Sequence, residues 1–168
     1  MHALMQHLDF AEVPDIAAIE RQARSLFDQG ILTEEAYQSL DVRNVWRFVS
    51  SALGRRLRDA KRVYRELPFG RLLPAKKYYK EAQDEADRIF LQGIIDVLFE
   101  EENGDYILLD YKTDRHISPQ DARTRYQFQI DLYCDAVETI LGRPVKECYL
   151  FLLDTGREVR MERQAASA

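Results

Sequence analysis

Two apolar runs of this chain each carry charge where a strand interior would normally exclude it. Gly93-Ile94-Ile95-Asp96-Val97-Leu98-Phe99 holds one aspartate, and fourteen positions later Leu109-Asp110-Tyr111-Lys112 closes a second run, opened by Tyr106, on an acid and a lysine. An ionised carboxylate or ammonium is buried only when paired or bound to a metal. Asp96, Asp110 and Lys112 together therefore ask for a cation. The chemistry they suit is metal-assisted phosphodiester hydrolysis. Carboxylate oxygens are the ligands magnesium prefers, with positions left for water and a phosphate oxygen. The lysine holds or activates the attacking water and offsets charge growing on the phosphoryl group. A plain salt bridge between Lys112 and one aspartate explains a pair but leaves the second acid without a reason.

The two runs form a hairpin, and its phase decides whether the acids meet. Strand side chains alternate, so Asp110 and Lys112 share a face and Tyr111 takes the other. A two-residue Asn103-Gly104 turn would set Asp96 opposite Tyr111. A three-residue loop, Glu102-Asn103-Gly104 with Gly104 left-handed in a bulge, sets Asp96 opposite Asp110 and is the expected form.

A second constellation follows in Tyr126-Gln127-Phe128-Gln129-Ile130-Asp131-Leu132-Tyr133, where Tyr126, Gln129 and Tyr133 fall on one helical face. Gln129 offers both a donor and an acceptor to a phosphate, a water or Lys112. Alone, the two tyrosines would read as core residues. His2 and His7 near the start are possible metal ligands, and spacing does not choose between them.

These residues need a frame. The pattern predicts a helix from Asp15 through Gln29 stopped by Gly30, a short one from Thr33 to about Leu40, and a longer one from Asp41 to about Ala60. Strands are expected over 62–67 and 71–73, each limited by a following proline (Pro68, Pro74), then over 88–99 and 106–113. Pro119 opens a long helix to Leu141, with Gly142 beyond it. Strands over 146–153 and 158–161 follow, the second at an edge. The whole reads as one α/β domain, with a helical part over 1–61 and a sheet core over 62–163.

The bulk numbers agree with that size. The chain has 168 residues, 46% hydrophobic and 32% charged, with room for one core. No run approaches a membrane span, and no signal sequence opens it. Cys134 and Cys148 read as buried thiols, in keeping with a reducing cytoplasm. The net charge of −5 hides an asymmetry. Residues 1–41 carry two basic against eight acidic groups, residues 42–80 twelve against two, and the remainder ten against nineteen. The middle block, with Arg55, Arg56, Arg58, Lys76 and Lys77, could follow a phosphate backbone. It could equally be a solvated face or a dock for an acidic partner.

The ordered set His2-Ala3-Leu4-Met5-Gln6-His7-Leu8, Glu66-Leu67-Pro68-Phe69, Gly93-Ile94-Ile95-Asp96, Leu109-Asp110-Tyr111-Lys112-Thr113-Asp114 and the Tyr126–Tyr133 helix resembles the RecB-family nuclease domain of the PD-(D/E)XK superfamily, most of all the C-terminal nuclease domain of AddA-type helicase–nuclease subunits. The resemblance implies a restriction-endonuclease-like mixed sheet flanked by helices. It assigns His2, Asp96 and Asp110 to the metal, Lys112 to catalysis, and Gln129 and Tyr133 to the motif behind the site. It implies a magnesium-dependent (manganese also possible) deoxyribonuclease or exonuclease that processes double-strand breaks for recombinational repair in the bacterial cytoplasm, at the nucleoid. Its implied partners are DNA, as single strands, the helicase portion of a longer chain and a second helicase–nuclease subunit. No phosphate-binding loop for ATP is present, and two cysteines are too few for the four-cysteine iron–sulfur cluster of some relatives. Starting one residue before His2, the chain looks cut from a longer protein. The competing class is a nuclease-fold module that only binds DNA or protein and is inactive in isolation.

Overall fold

The computed structural model describes residues 1–75 and 86–163. Its first third is helical: α1 (His2–His7), a 3-10 turn (Phe10–Glu12), α2 (Ile16–Asp28), α3 (Glu34–Gln38), α4 (Val42–Val49) and α5 (Ala52–Arg58). Side-chain caps fix the starts. Asp15 accepts from Ala18 N–H, Thr33 from Ala36 N–H, and Asp41 from Arg43 and Asn44 N–H. Each cap satisfies donors that a first turn leaves unpaired.

The single helix expected over 41–60 is two. Ser50 Oγ donates back to the Trp46 carbonyl at 2.6 Å, and Ser51 Oγ starts a new helix by accepting from Gly54 N–H at 3.0 Å. The turn between them is so tight that a Cβ at Gly54 would lie 2.0 Å from the Phe48 carbonyl oxygen. Periodicity gives no sign of the break, because Phe48, Val49, Leu53 and Leu57 remain buried across it.

Five strands follow, paired in the order β1 (Arg62–Pro74), β2 (Arg88–Glu100), β3 (Tyr106–Lys112), β4 (Val145–Leu152) and β5 (Arg157–Met161). The β3–β4 pair is parallel and joined by α6 (Pro119–Leu141), while the other pairs are antiparallel. This is the mixed α/β sheet expected. Pro68 and Pro74 do not interrupt β1, which runs unbroken for 13 residues. Among the described residues β1 is an edge strand paired with β2, and it can turn a missing N–H outward.

The predicted three-residue loop forms. Glu101 N–H donates to Asp105 O at 3.0 Å, Gly104 N–H donates to Glu101 O at 2.9 Å, and Gly104 has φ +85°. The pairs Glu100↔Tyr106 through Val97↔Leu109 set the phase. One step further, Asp96 stands level with Asp110.

Apolar side chains bury on both faces of the sheet. The helices of the first third pack with Val97, Phe99, Ile107, Leu109 and Tyr111, and α6 packs with Ile95, Leu98, Leu108, Leu150 and Leu152. Cys134 and Cys148 are buried free thiols with their sulfurs 2.8 Å apart. Among the described residues no helix is long and apolar enough to cross a membrane.

Candidate active site

Strict alternation would put Ile95 and Val97 on one face of β2. Instead Ile95 packs toward α6 and Val97 toward the N-terminal helices. β1 shifts phase at the same level. Arg65 reaches the α1 side, donating to the carbonyls of Gln6 at 3.0 Å and Leu8 at 2.7 Å, while Leu67 packs on the α6 side. Arg65 and Val97 pair, Leu67 and Ile95 pair, and the residues between them, Glu66 and Asp96, do not. Glu66 has φ +51°, a left-handed backbone that a glutamate adopts only under constraint. β2 and β3 part at this level too, beyond Val97 and Leu109. Glu66, Asp96 and Asp110 are thus gathered where the sheet opens.

The backbone break turns side chains into a cluster. Asp96 Oδ2 accepts the Tyr111 N–H at 2.7 Å, sealing the first β3 donor past the split. The same oxygen lies 3.1 Å from His2 Nε2, and His2 Nδ1 meets the Gln6 side-chain amide at 3.2 Å, one turn along α1. Arg65 steadies that helix by holding carbonyls at its C-terminal end. One ligand atom each from His2, Glu66 and Asp96 lies within 4.8 Å of the others. The hydrogen bond and charge of Asp96 raise the His2 pKa against the opposing effect of burial.

Asp110 and Lys112 project to the α6 side. Asp110 is 2% exposed, and its Oδ2 forms an ion pair with Lys112 Nζ at 2.7 Å. Burial, helped by the Asp96 charge and opposed by Lys112, pushes the Asp110 carboxyl up to about 6. Lys112 donates to Gln129 Oε1 at 2.6 Å, and Gln129 Nε2 donates to the Tyr133 hydroxyl at 2.6 Å. The Phe69 ring packs edge-on against the Tyr133 ring, centroids 5.3 Å apart, and lies over Gly93, where a Cβ would come within 2.8 Å of it. Phe69 and Gly93 of the ordered motifs therefore support the helix face that meets the lysine.

The donor set suits a hard divalent cation. Two carboxylates and an imidazole, from Glu66, Asp96 and His2, come within 4.8 Å of one another, buried Glu66 Oε1 has no hydrogen-bond partner among the described residues, and Asp110, paired with Lys112, stands beside them. Oxygen-rich sites with one nitrogen accept magnesium or manganese. Glu66 opens one of the ordered motifs, but the sequence assigns it no role in the site. Its strand reads as ordinary, and only the double phase shift at Glu66 and Asp96 makes it a neighbour of His2.

His7, the other histidine, lies in the last turn of α1 and is exposed. The arginines expected to meet phosphates sit elsewhere, around the hairpin loop. Arg56 is held by Glu101 at 2.7 Å and Glu147 at 2.8 Å, and these partners raise its pKa. Arg58 meets Asp59 at 2.9 Å, and Arg55 donates to Ser50 O at 2.5 Å. From Glu101 back to Asp96 is five strand residues, about 17 Å. Lys76 and Lys77 lie outside the described residues. A cavity of about 950 Å³ lies between α6 and β5, lined by Gln120, Arg123, Gln127 and Arg160, and includes none of the clustered residues. The cluster lies instead in the split between strands, with Asp96 and Asp110 buried.

The profile of the PD-(D/E)XK nuclease superfamily matches residues 1–168. The A subunit of an ATP-dependent helicase/nuclease from Heliobacterium modesticaldum is 43% identical over 168 residues, covering 96% of this chain and 12% of that protein. Proteins of the same name from Thermoanaerobacter sp. and Bacillus velezensis are each 38% identical over 93% of this chain and 13% of their own length. The chain thus spans about an eighth of the curated relatives it matches.

Proposed function

The chain belongs to the PD-(D/E)XK nuclease superfamily, and from that premise we propose that its 168 residues act as one deoxyribonuclease domain. It hydrolyses phosphodiester bonds in single DNA strands with magnesium or manganese. It works as the nuclease part of a bacterial helicase–nuclease, joined to a helicase portion and a second subunit, processing double-strand breaks in the cytoplasm. The observation that carries this reading is the convergence of His2, Glu66 and Asp96 next to the Asp110–Lys112 pair, whose lysine is fixed by Gln129.

In this reading His2, Glu66, Asp96 and Asp110 hold the cation. When bound, it neutralises phosphate charge and acidifies water. Lys112 carries its proton toward the reacting phosphate, where the ammonium orients the attacking water and offsets growing negative charge. Gln129 keeps the ammonium aimed; the ammonium, which only donates, takes the amide oxygen, and the Tyr133 hydroxyl accepts from the amide nitrogen and steadies the side chain. The Tyr111 backbone N–H keeps the Asp96 carboxylate in place.

The test is cleavage of end-labelled single-stranded DNA with magnesium, manganese or calcium, comparing wild type with Asp110→Ala, Lys112→Ala and Glu66→Ala. Loss of cutting in all three variants, with retained folding, supports the assignment. Variants that cut as well as wild type would refute it.

A further inference from the structure

A lysine carries its ammonium on a flexible four-carbon stem with three rotatable donors, so chemistry that uses it needs the stem held. Asp110 Oδ2 lies 2.7 Å from Lys112 Nζ, and Gln129 Oε1 lies 2.6 Å away. A third neighbour is aromatic. The Tyr126 ring centroid is 4.1 Å from Nζ, within cation–π reach. The Lys112 side chain is left only 12% exposed.

The ring is itself anchored. Its hydroxyl donates to Asp114 Oδ2 at 2.5 Å, and Asp114 Oδ1 receives Arg125 Nη1 at 2.6 Å. The Tyr126 hydroxyl first, and then Arg125, hold the Asp114 carboxyl below the usual carboxylate range. Asp114 follows Lys112 by two residues, and Tyr126 precedes Gln129 by three, so the helix presents ring and amide from one face. A tyrosine there for packing alone would not need its hydroxyl aimed at a partly exposed carboxylate beside the lysine strand.

Resting on the nuclease reading, we propose that Asp114 and Tyr126 are positioning residues for Lys112, with Asp114 fixing the ring and the ring fixing the ammonium. Neither has to touch DNA. The ring face closes one side of the ammonium to water, leaving its motion confined between Asp110 and Gln129.

Two readouts test this, on variants whose folding is checked by circular dichroism. In NMR spectra of protein carrying 13C-labelled lysine, the Lys112 Cε protons are shifted upfield by the ring in wild type and Tyr126→Phe, and lose that shift in Tyr126→Leu. In steady-state cleavage with magnesium, Tyr126→Leu lowers kcat about 10- to 100-fold with KM little changed. Tyr126→Phe and Asp114→Ala each lower it about 3- to 10-fold, the value of one hydrogen bond. The double variant falls no further than either single one, because both remove the same interaction. An unshifted Lys112 resonance in wild type, wild-type kcat in Tyr126→Leu, or additive losses in the double variant would each overturn the proposal. If wild type cuts no DNA, the nuclease reading fails separately, and the ring-current shift alone decides whether the clamp exists.

Discussion

The two ends of the β2–β3 hairpin hold similar charges in opposite states. At the loop end, Arg56 spans Glu101 and Glu147, Tyr149 donates to Glu147 at 2.7 Å, and Lys61 meets Glu100 at 3.3 Å. Hydrogen bonds from Arg56 and Tyr149 hold the Glu147 carboxyl low despite its burial. At the split end, Glu66, Asp96 and Asp110 share His2 and Lys112, and the Asp110 carboxyl is pushed up to about 6. A fold that can satisfy its carboxylates at one end leaves them short of cations at the other. Such a deficit costs stability, and it persists where function needs it.

Breaking the split end has the largest expected effect. Lys112→Ala and Asp96→Asn each reduce DNA cleavage by about 10²- to 10³-fold, the range for removing one electrostatic group from a site. The folded state should survive both, because neither residue holds the core. Cleavage assays beside thermal melts check this. A variant that unfolds, or one that cuts normally, would erase the contrast between the ends.

Acidity sharpens the same comparison. With its folded pKa raised from 3.8 to about 6, Asp110 is protonated more readily in the folded chain than in the unfolded one. Its contribution to stability is therefore fully present below about pH 4 and is lost as pH rises to about 6, a fall of about 3 kcal/mol. Urea titrations from pH 4 to 7 should show this loss in wild type and not in Asp110→Asn. The difference between the two isolates Asp110 from groups such as Glu147, whose lowered pKa acts in the opposite direction. Magnesium should bind more tightly as pH climbs through 6, because cation and proton compete, and should raise the melting temperature most above that pH.

The loop end should respond in stability and not in catalysis. Arg56→Ala strands Glu101 and Glu147 and costs about 2 kcal/mol, the penalty for leaving partly buried acceptors unpaired. The cleavage rate at saturating DNA should stay within about twofold of wild type. A loss of rate matching the loss of the split-end variants would show that the ends are one functional unit.

What could be read from sequence follows the range of each signal. The loop Glu102-Asn103-Gly104, the caps at Asp15 and Thr33, and Pro119 with Gly142 around α6 are local, and each carries its own turn or cap chemistry. So is the placing of Asp110 and Lys112 two apart on one strand. The break at Ser50 is hidden because the apolar stripe continues through it. Glu66 is hidden because its place depends on a phase shift made jointly with Asp96, a partner thirty residues away. Arg56 looks available for phosphate because its acceptors, Glu101 and Glu147, lie remote from it in sequence.

The smallest effect concerns the arginines beside Arg56. Arg56 itself cannot report on DNA, since any change there also breaks the loop-end network. Arg55 and Arg58 can, because their contacts are a backbone carbonyl and the adjacent Asp59, both at the surface. If a single strand extends from Asp96 along the hairpin, about 17 Å spans a few nucleotides and brings phosphates to α5. Reversing both charges should then flatten the salt dependence of single-strand affinity by about 1.4 in log–log slope, about 0.7 for each phosphate no longer neutralised. Cleavage at saturating DNA should not change, because these side chains are remote from the reacting phosphate. A slope that does not move would confine DNA to the split end and leave the loop end purely structural.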